Sequence, residues 1–154
     1  GRFAAAEGGG GPGLQRTWAA RGGCAADLDE DGDLDLAMGV LDVSPVVLRN
    51  DGRQGASVRL ELRAAGGGLE VIGARLEATI GDRTATWYLG AQGSFLSSGP
   101  RTLHLGLGEA PRLDALRIRW PDGEVQELGP LEAGGRYRVE QGKPDAVRVD
   151  GSGG

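Results

Sequence analysis

The chain has 154 residues, a formal net charge of −5 and 30 glycines, against two Phe, two Tyr and three Trp. An acidic balance, with Lys and Arg scattered rather than clustered along the sequence, argues against nucleic acid and anionic membranes as partners. No apolar run reaches the length of a membrane span.

The length suits one compact domain or two small ones. The glycine content predicts many tight turns between short strands, with cores built from Leu, Val, Ile and Ala. Beginning at Gly1, without a start Met or a signal peptide, the sequence reads as a processed product or a fragment of something longer. Residues 1–4 look like the start of a short strand, and the glycine-rich stretch 8–13 looks like a loop. Residues 14–18 are expected to be irregular or extended, and Arg21-Gly22-Gly23 to turn the chain into a strand over 24–26. Cys24, the single cysteine, has no internal disulfide partner and reads as a small buried side chain.

The next stretch organises the chain: Asp27-Leu28-Asp29-Glu30-Asp31-Gly32-Asp33-Leu34-Asp35. Its aspartates fall on alternate positions, and a glycine stands at the sixth. That pattern is an oxygen-ligand loop for Ca²⁺. Asp27, Asp29 and Asp31 turn their carboxylates inward, Asp33 offers its backbone carbonyl, and Asp35 closes the shell. Gly32 takes the sharp turn that a Cβ would resist. Four carboxylates converging to about 5 Å form six like-charge pairs, roughly 5 kcal/mol of repulsion in all even at the dielectric of water. A divalent cation relieves that repulsion; without one the loop splays or its pKa values rise. A helix–loop–helix calcium site needs a bidentate Glu at position twelve, where this chain has Met38. Leu34, Leu36 and Met38 alternate with polar or small residues, so the loop is expected to open into a strand over 34–39. Pro45 breaks the chain, 46–49 makes another strand and Asn50-Asp51-Gly52 ends it.

Residues 1–52 resemble one FG-GAP/VCBS repeat, the blade unit of a β-propeller. The resemblance rests on Gly1-Arg2-Phe3, Gly11-Pro12-Gly13-Leu14, Arg21-Gly22-Gly23 ahead of the aspartates and Leu48-Arg49-Asn50 behind them. It implies Ca²⁺ binding by Asp27, Asp29, Asp31, Asp33 and Asp35. A propeller needs several blades, typically at least four, and one is found here.

From Arg53 the pattern lengthens. Val58, Leu60 and Leu62 alternate with charged residues, as do Ala74, Leu76, Ala78 and Ile80. Further strands are predicted around 85–89, 103–107, 116–120, 125–128 and 137–139, with Pro121-Asp122-Gly123 a strong turn. This is an all-β pattern: a blade-like calcium-loop unit over 1–52 packed on a β-sandwich or jelly-roll-like module over 53–143. A tail over 144–154 follows, in which 146–149 alternates like a detached strand able to add to a neighbour's sheet.

The second module resembles the ASPIC/UnbV domain of the cartilage acidic protein family and its bacterial relatives. The carrying residues are Ile72-Gly73-Ala74-Arg75-Leu76, Ser94-Phe95-Leu96-Ser97, the run from Leu103 to Gly108, and Arg119-Trp120-Pro121-Asp122-Gly123. The resemblance implies a secreted or surface-exposed, calcium-binding, non-catalytic protein of structural or adhesive role. Partners are expected to be further copies of the chain or another extracellular protein, with glycans, and a carbohydrate-binding module, as the alternative. Unpaired blade edges or an exchanged terminal strand would build filaments.

Two other constellations stand in the sequence. His104 with Ser97 or Ser98 and Asp114 imitates a hydrolase triad, but no Gly-x-Ser-x-Gly elbow supports it and a structural histidine is favoured. Trp87, Trp120 and Tyr137 could stack sugars, but core or rim packing is the stronger expectation on alternating strands.

Overall fold

The computed structural model describes residues 11–52, 55–68, 71–90 and 101–149. They divide into two compact units, with 11–52 in the first and the other described residues in the second. The expected strand at 1–4 lies outside the described residues.

The first unit opens on a single helical turn, α1 (Gly11–Leu14), and continues as an antiparallel sheet in the order β1 (Ala20–Ala26), β2 (Asp35–Val40), β3 (Val46–Leu48). The expected turn at Arg21-Gly22-Gly23 is instead part of β1. The glycines there serve close packing: a Cβ at Gly23 would sit 3.1 Å from the Ala37 carbonyl oxygen of the neighbouring strand, and the register shifts between Ala20 and Gly22. Ala26 stands opposite Asp35, so the acidic stretch is the connection of a β-hairpin and its flanks are strands, not helices. No hydrophobic side chain among the described residues of this unit is buried; Leu34 and Leu36 are each 38% exposed and Val47 57%. Asp35, 1% exposed, is the one buried residue among those described in this unit. Cys24 is only half-buried.

The second unit holds the hydrophobic core. Its first sheet joins β5 (Arg75–Ile80), β6 (Arg83–Tyr88), β9 (Ala115–Arg119) and β10 (Val125–Leu128) in the order β10-β9-β5-β6. The second joins β4 (Ala56–Arg63), β7 (Leu103–Gly108), β12 (Arg136–Glu140) and β13 (Val147–Arg148) in the order β13-β12-β4-β7. A short pair, β8 (Arg112–Leu113) with β11 (Leu131–Glu132), completes it. The period of two appears directly as burial. In β5, Leu76, Ala78 and Ile80 point into the core; in β4, Val58, Leu60 and Leu62 do so from the other sheet. One cluster therefore takes side chains from both sheets, the arrangement of a β-sandwich. Each fully buried Leu contributes roughly 1.5–3 kcal/mol.

Strands β4 and β12 run parallel in an otherwise antiparallel sheet, and β13 lies antiparallel on the outside of β12. The strand expected within 146–149 thus exists but is not detached. Tyr137 pairs with Arg148 and Arg138 with Val147, so its backbone is engaged within its own chain. The hydrophobic contact of Ala146 with the core adds to that tether.

The aromatic trio packs rather than presents a platform. Trp120 is 1% and Tyr137 6% exposed, and Trp87 lies against the core. Burial of Trp120 requires a partner for its indole N–H, and Gln126 Oε1 accepts it at 3.0 Å. The same Oε1 accepts the Gly142 N–H at 3.2 Å, while Gln126 Nε2 donates to Lys143 O at 2.6 Å and Glu140 O at 3.3 Å. One buried amide, with all four of its hydrogen-bonding capacities used, fastens the β9–β10 hairpin to the turn after β12.

Candidate metal centre

The connection from β1 to β2 is curled by its own side chains. Asp29 Oδ1 accepts the Asp31 N–H at 3.4 Å, and Asp31 Oδ1 accepts the Asp33 N–H at 3.1 Å. Short acidic side chains favour such local bonds because they substitute for a backbone turn. Gly32 takes φ 100°, the left-handed conformation expected of it, and Glu30 takes φ 61°.

This curling brings one carboxylate oxygen from each of Asp27, Asp29 and Asp31 within 4.8 Å of one another. Calcium–oxygen distances are about 2.3–2.6 Å, so the separation suits three ligands around one hard cation. The three residues could hold a metal ion. Asp33, expected to offer its backbone carbonyl, also brings its side chain to the cluster. Both of its side-chain oxygens are shielded from water and have no hydrogen-bond partner in the structure. Loss of hydration, then the charges of Asp31, Asp35, Asp29 and Asp27, push its carboxyl above the ordinary value of 3.8. An acid raised by four neighbouring carboxylates fits a place for a cation.

Asp35 is differently placed. Its Oδ2 accepts the Leu28 N–H at 3.0 Å and its Oδ1 the Asn50 N–H at 2.8 Å. Each oxygen keeps a further lone pair, but the carboxylate already ties the loop to the chain leaving β3. Arg49 approaches Asp29 to 4.0 Å and Asp51 to 2.5 Å, supplying positive charge at the rim. Asn50 Oδ1 in turn accepts the Gly52 N–H at 3.1 Å. Residue spacing does not show the part that Asn50 and Arg49 play beside the loop.

The imitated triad does not form a described site. His104 lies on β7 opposite Arg59. Asp114 accepts the Gly81 N–H at 2.8 Å and the Arg112 Nε–H at 2.9 Å, fixing the turn between β5 and β6. Ser97 and Ser98 lie outside the described residues.

Fold and loop together define an all-β protein, a two-sheet module joined in sequence to a smaller β unit with an acidic hairpin loop. The family model "ASPIC and UnbV" matches residues 65–146, just over half of the chain, and the chain belongs to that family. The described residues it matches all belong to the second unit, and the aspartate loop lies outside the match. No curated protein matches the chain. Among the described residues no helix is long and apolar enough to cross a membrane, which says nothing of spanning strands.

Proposed function

We propose that this chain is a calcium-binding structural or adhesive part of an extracellular protein, in which residues 1–52 act as one FG-GAP/VCBS-like blade ahead of the ASPIC and UnbV domain. The observation that carries this reading is the convergence of Asp27, Asp29 and Asp31 at the end of a hairpin strand. Hard carboxylate oxygens on a flexible loop select Ca²⁺ over Mg²⁺, which demands a tighter octahedron and keeps its water. Single extracellular loops of this kind bind at about 10⁻⁴–10⁻³ M, a range filled outside cells and not in the cytosol. The role is non-catalytic.

The first unit supplies the surface for assembly. Among the described residues its sheet has edges at β1 and β3, and Leu36, Val43 and Val47 are exposed. A neighbouring blade, from a second copy or from another stretch of a longer protein, would pair with such an edge and cover those side chains. Isothermal titration with Ca²⁺, followed by light scattering in calcium and in chelator, tests the reading. Binding near millimolar and particles that shrink on chelation are expected. No calcium heat, with identical particle mass in both conditions, would overturn it.

A further inference from the structure

Arginines far apart in the sequence meet on the outer face of the β10-β9-β5-β6 sheet. The register sets Tyr88, Arg75, Arg119 and Val125 in one row across the four strands, and Thr86, Glu77, Arg117 and Glu127 in the next. Arg75, Glu77, Arg117 and Arg119 line a shallow cleft of about 100 Å³.

The charges in this cleft do not cancel. Glu77 is 2.6 Å from Arg75 and 3.7 Å from Arg117, and Arg117 is also 3.6 Å from Glu127. Among the described residues, none forms an ion pair or hydrogen bond with the Arg119 guanidinium. It stands directly opposite Arg75, and like charges directly opposed across an antiparallel pair destabilise a sheet. An anion between the two guanidinium groups reverses that cost. Each guanidinium offers five N–H donors in a fork matched to a carboxylate or sulfate, and Glu77 engages few of them.

The neighbour in the row says what carries the anion. Tyr88 is 58% exposed, with its ring centroid 5.9 Å from Arg75 Cζ, and Thr86 is exposed beside it. A flat face with one aromatic ring, a hydroxyl and a cleft sized for a single acidic group suits a sugar with spaced charges. A nucleic acid would require a longer basic stripe.

We infer that this outer sheet face binds an acidic polysaccharide, with Arg119 and Arg75 gripping a carboxylate or sulfate and Tyr88 supporting the adjoining sugar ring. This surface belongs to the ASPIC and UnbV unit and does not rest on the aspartate loop.

The test passes the full chain over immobilised dextran sulfate, polygalacturonate and neutral dextran, in calcium and in chelator. Retention on at least one acidic polymer and none on dextran is expected in both conditions. Arg119→Ala and Tyr88→Ala should each weaken binding about tenfold or more, while Arg112→Ala, an equal loss of charge elsewhere on the unit, stays within about twofold. Arg119 is exposed and relieves a like-charge pair when removed, so thermal melting of Arg119→Ala should match or exceed the unsubstituted chain. Binding unchanged in Arg119→Ala, equal weakening in Arg112→Ala, or no retention on either acidic polymer would overturn the inference. Tighter binding to poly-aspartate that ignores Tyr88→Ala would overturn it in favour of an acidic peptide.

Discussion

The Asp35 carboxylate, 1% exposed, accepts the Asn50 backbone N–H at 2.8 Å and so joins the start of β2 to the end of the first unit. Its other oxygen holds Leu28 at the mouth of the aspartate loop. With no buried hydrophobic side chain among the described residues of this unit, these two bonds carry an unusual share of the order. Replacing Asp35 by Ala leaves both donors without their acceptor, at about 1–3 kcal/mol each. Asp35→Asn keeps one acceptor oxygen and should lose less. Amide exchange is the direct readout: residues 27–50 should lose protection in Asp35→Ala while β4 and β5 keep theirs. Equal protection in the two proteins would show that the sheet ladder alone holds the unit.

Cation removal should act on the same unit through charge. With chelator, Asp27, Asp29, Asp31 and Asp33 repel one another with no cation among them, and Arg49 stands at the rim beside Asp29. The Asp33 carboxyl is raised from 3.8, so the cation-free first unit loses stability as pH climbs through that raised value. Calcium should suppress the loss. Asp29→Asn and Asp31→Asn each remove one charge from the cluster; both should weaken calcium binding about tenfold and lessen the destabilisation seen in chelator. Calorimetric melting in calcium and in chelator checks this, and a first transition indifferent to calcium contradicts it.

Much of this architecture is written as a period of two. Val58, Leu60 and Leu62, and likewise Leu76, Ala78 and Ile80, are buried where alternation puts them, and Gly123 takes φ 92° in the turn after Pro121-Asp122. The acidic loop is legible for the same reason, because local spacing dictates local curling. What depends on register between distant strands is not. Nothing in the spacing of Arg75 and Arg119 shows that they face each other, nor that β13 settles on β12 instead of leaving the chain. Gly22-Gly23 resembles a turn because glycine is ambiguous: it permits a bend, and it also permits the close strand approach found here.

Gln126 offers a sharp test of how the second unit is fastened. Gln126→Leu fills much of the space but strands the Trp120 indole N–H and the Gly142 N–H, and leaves two carbonyls without their donor. Buried donors without partners are costly, so a loss of about 2–4 kcal/mol is expected in urea unfolding followed by tryptophan fluorescence. Gln126→Glu keeps the acceptors and should recover part of it. A Gln126→Leu protein as stable as the original would mean that water or apolar packing replaces the network.

Acid should unfold the second unit in a defined window. Burial raises the Glu61 carboxyl, but the hydrogen bond and charge of Arg63 and the charge of Arg138 outweigh it, and the net position is below the ordinary 4.5. Asp114 is lowered from 3.8 by the Gly81 N–H and then by Arg112; Asp122 is lowered by the Glu124 N–H and then by Gln141. An acid depressed in the fold contributes stability that is fully present above its ordinary pKa and is lost as pH falls through the lowered one. The melting temperature of the second unit should therefore be flat from neutral pH to about 5 and fall below about 4.5. Gln141→Leu removes the Nε2 donor that lies 2.6 Å from Asp122 Oδ2, so its acid limb should be shallower. Melting curves at half-unit steps of pH decide the matter. A fall centred well above pH 5 instead would show that these carboxylates are not its source.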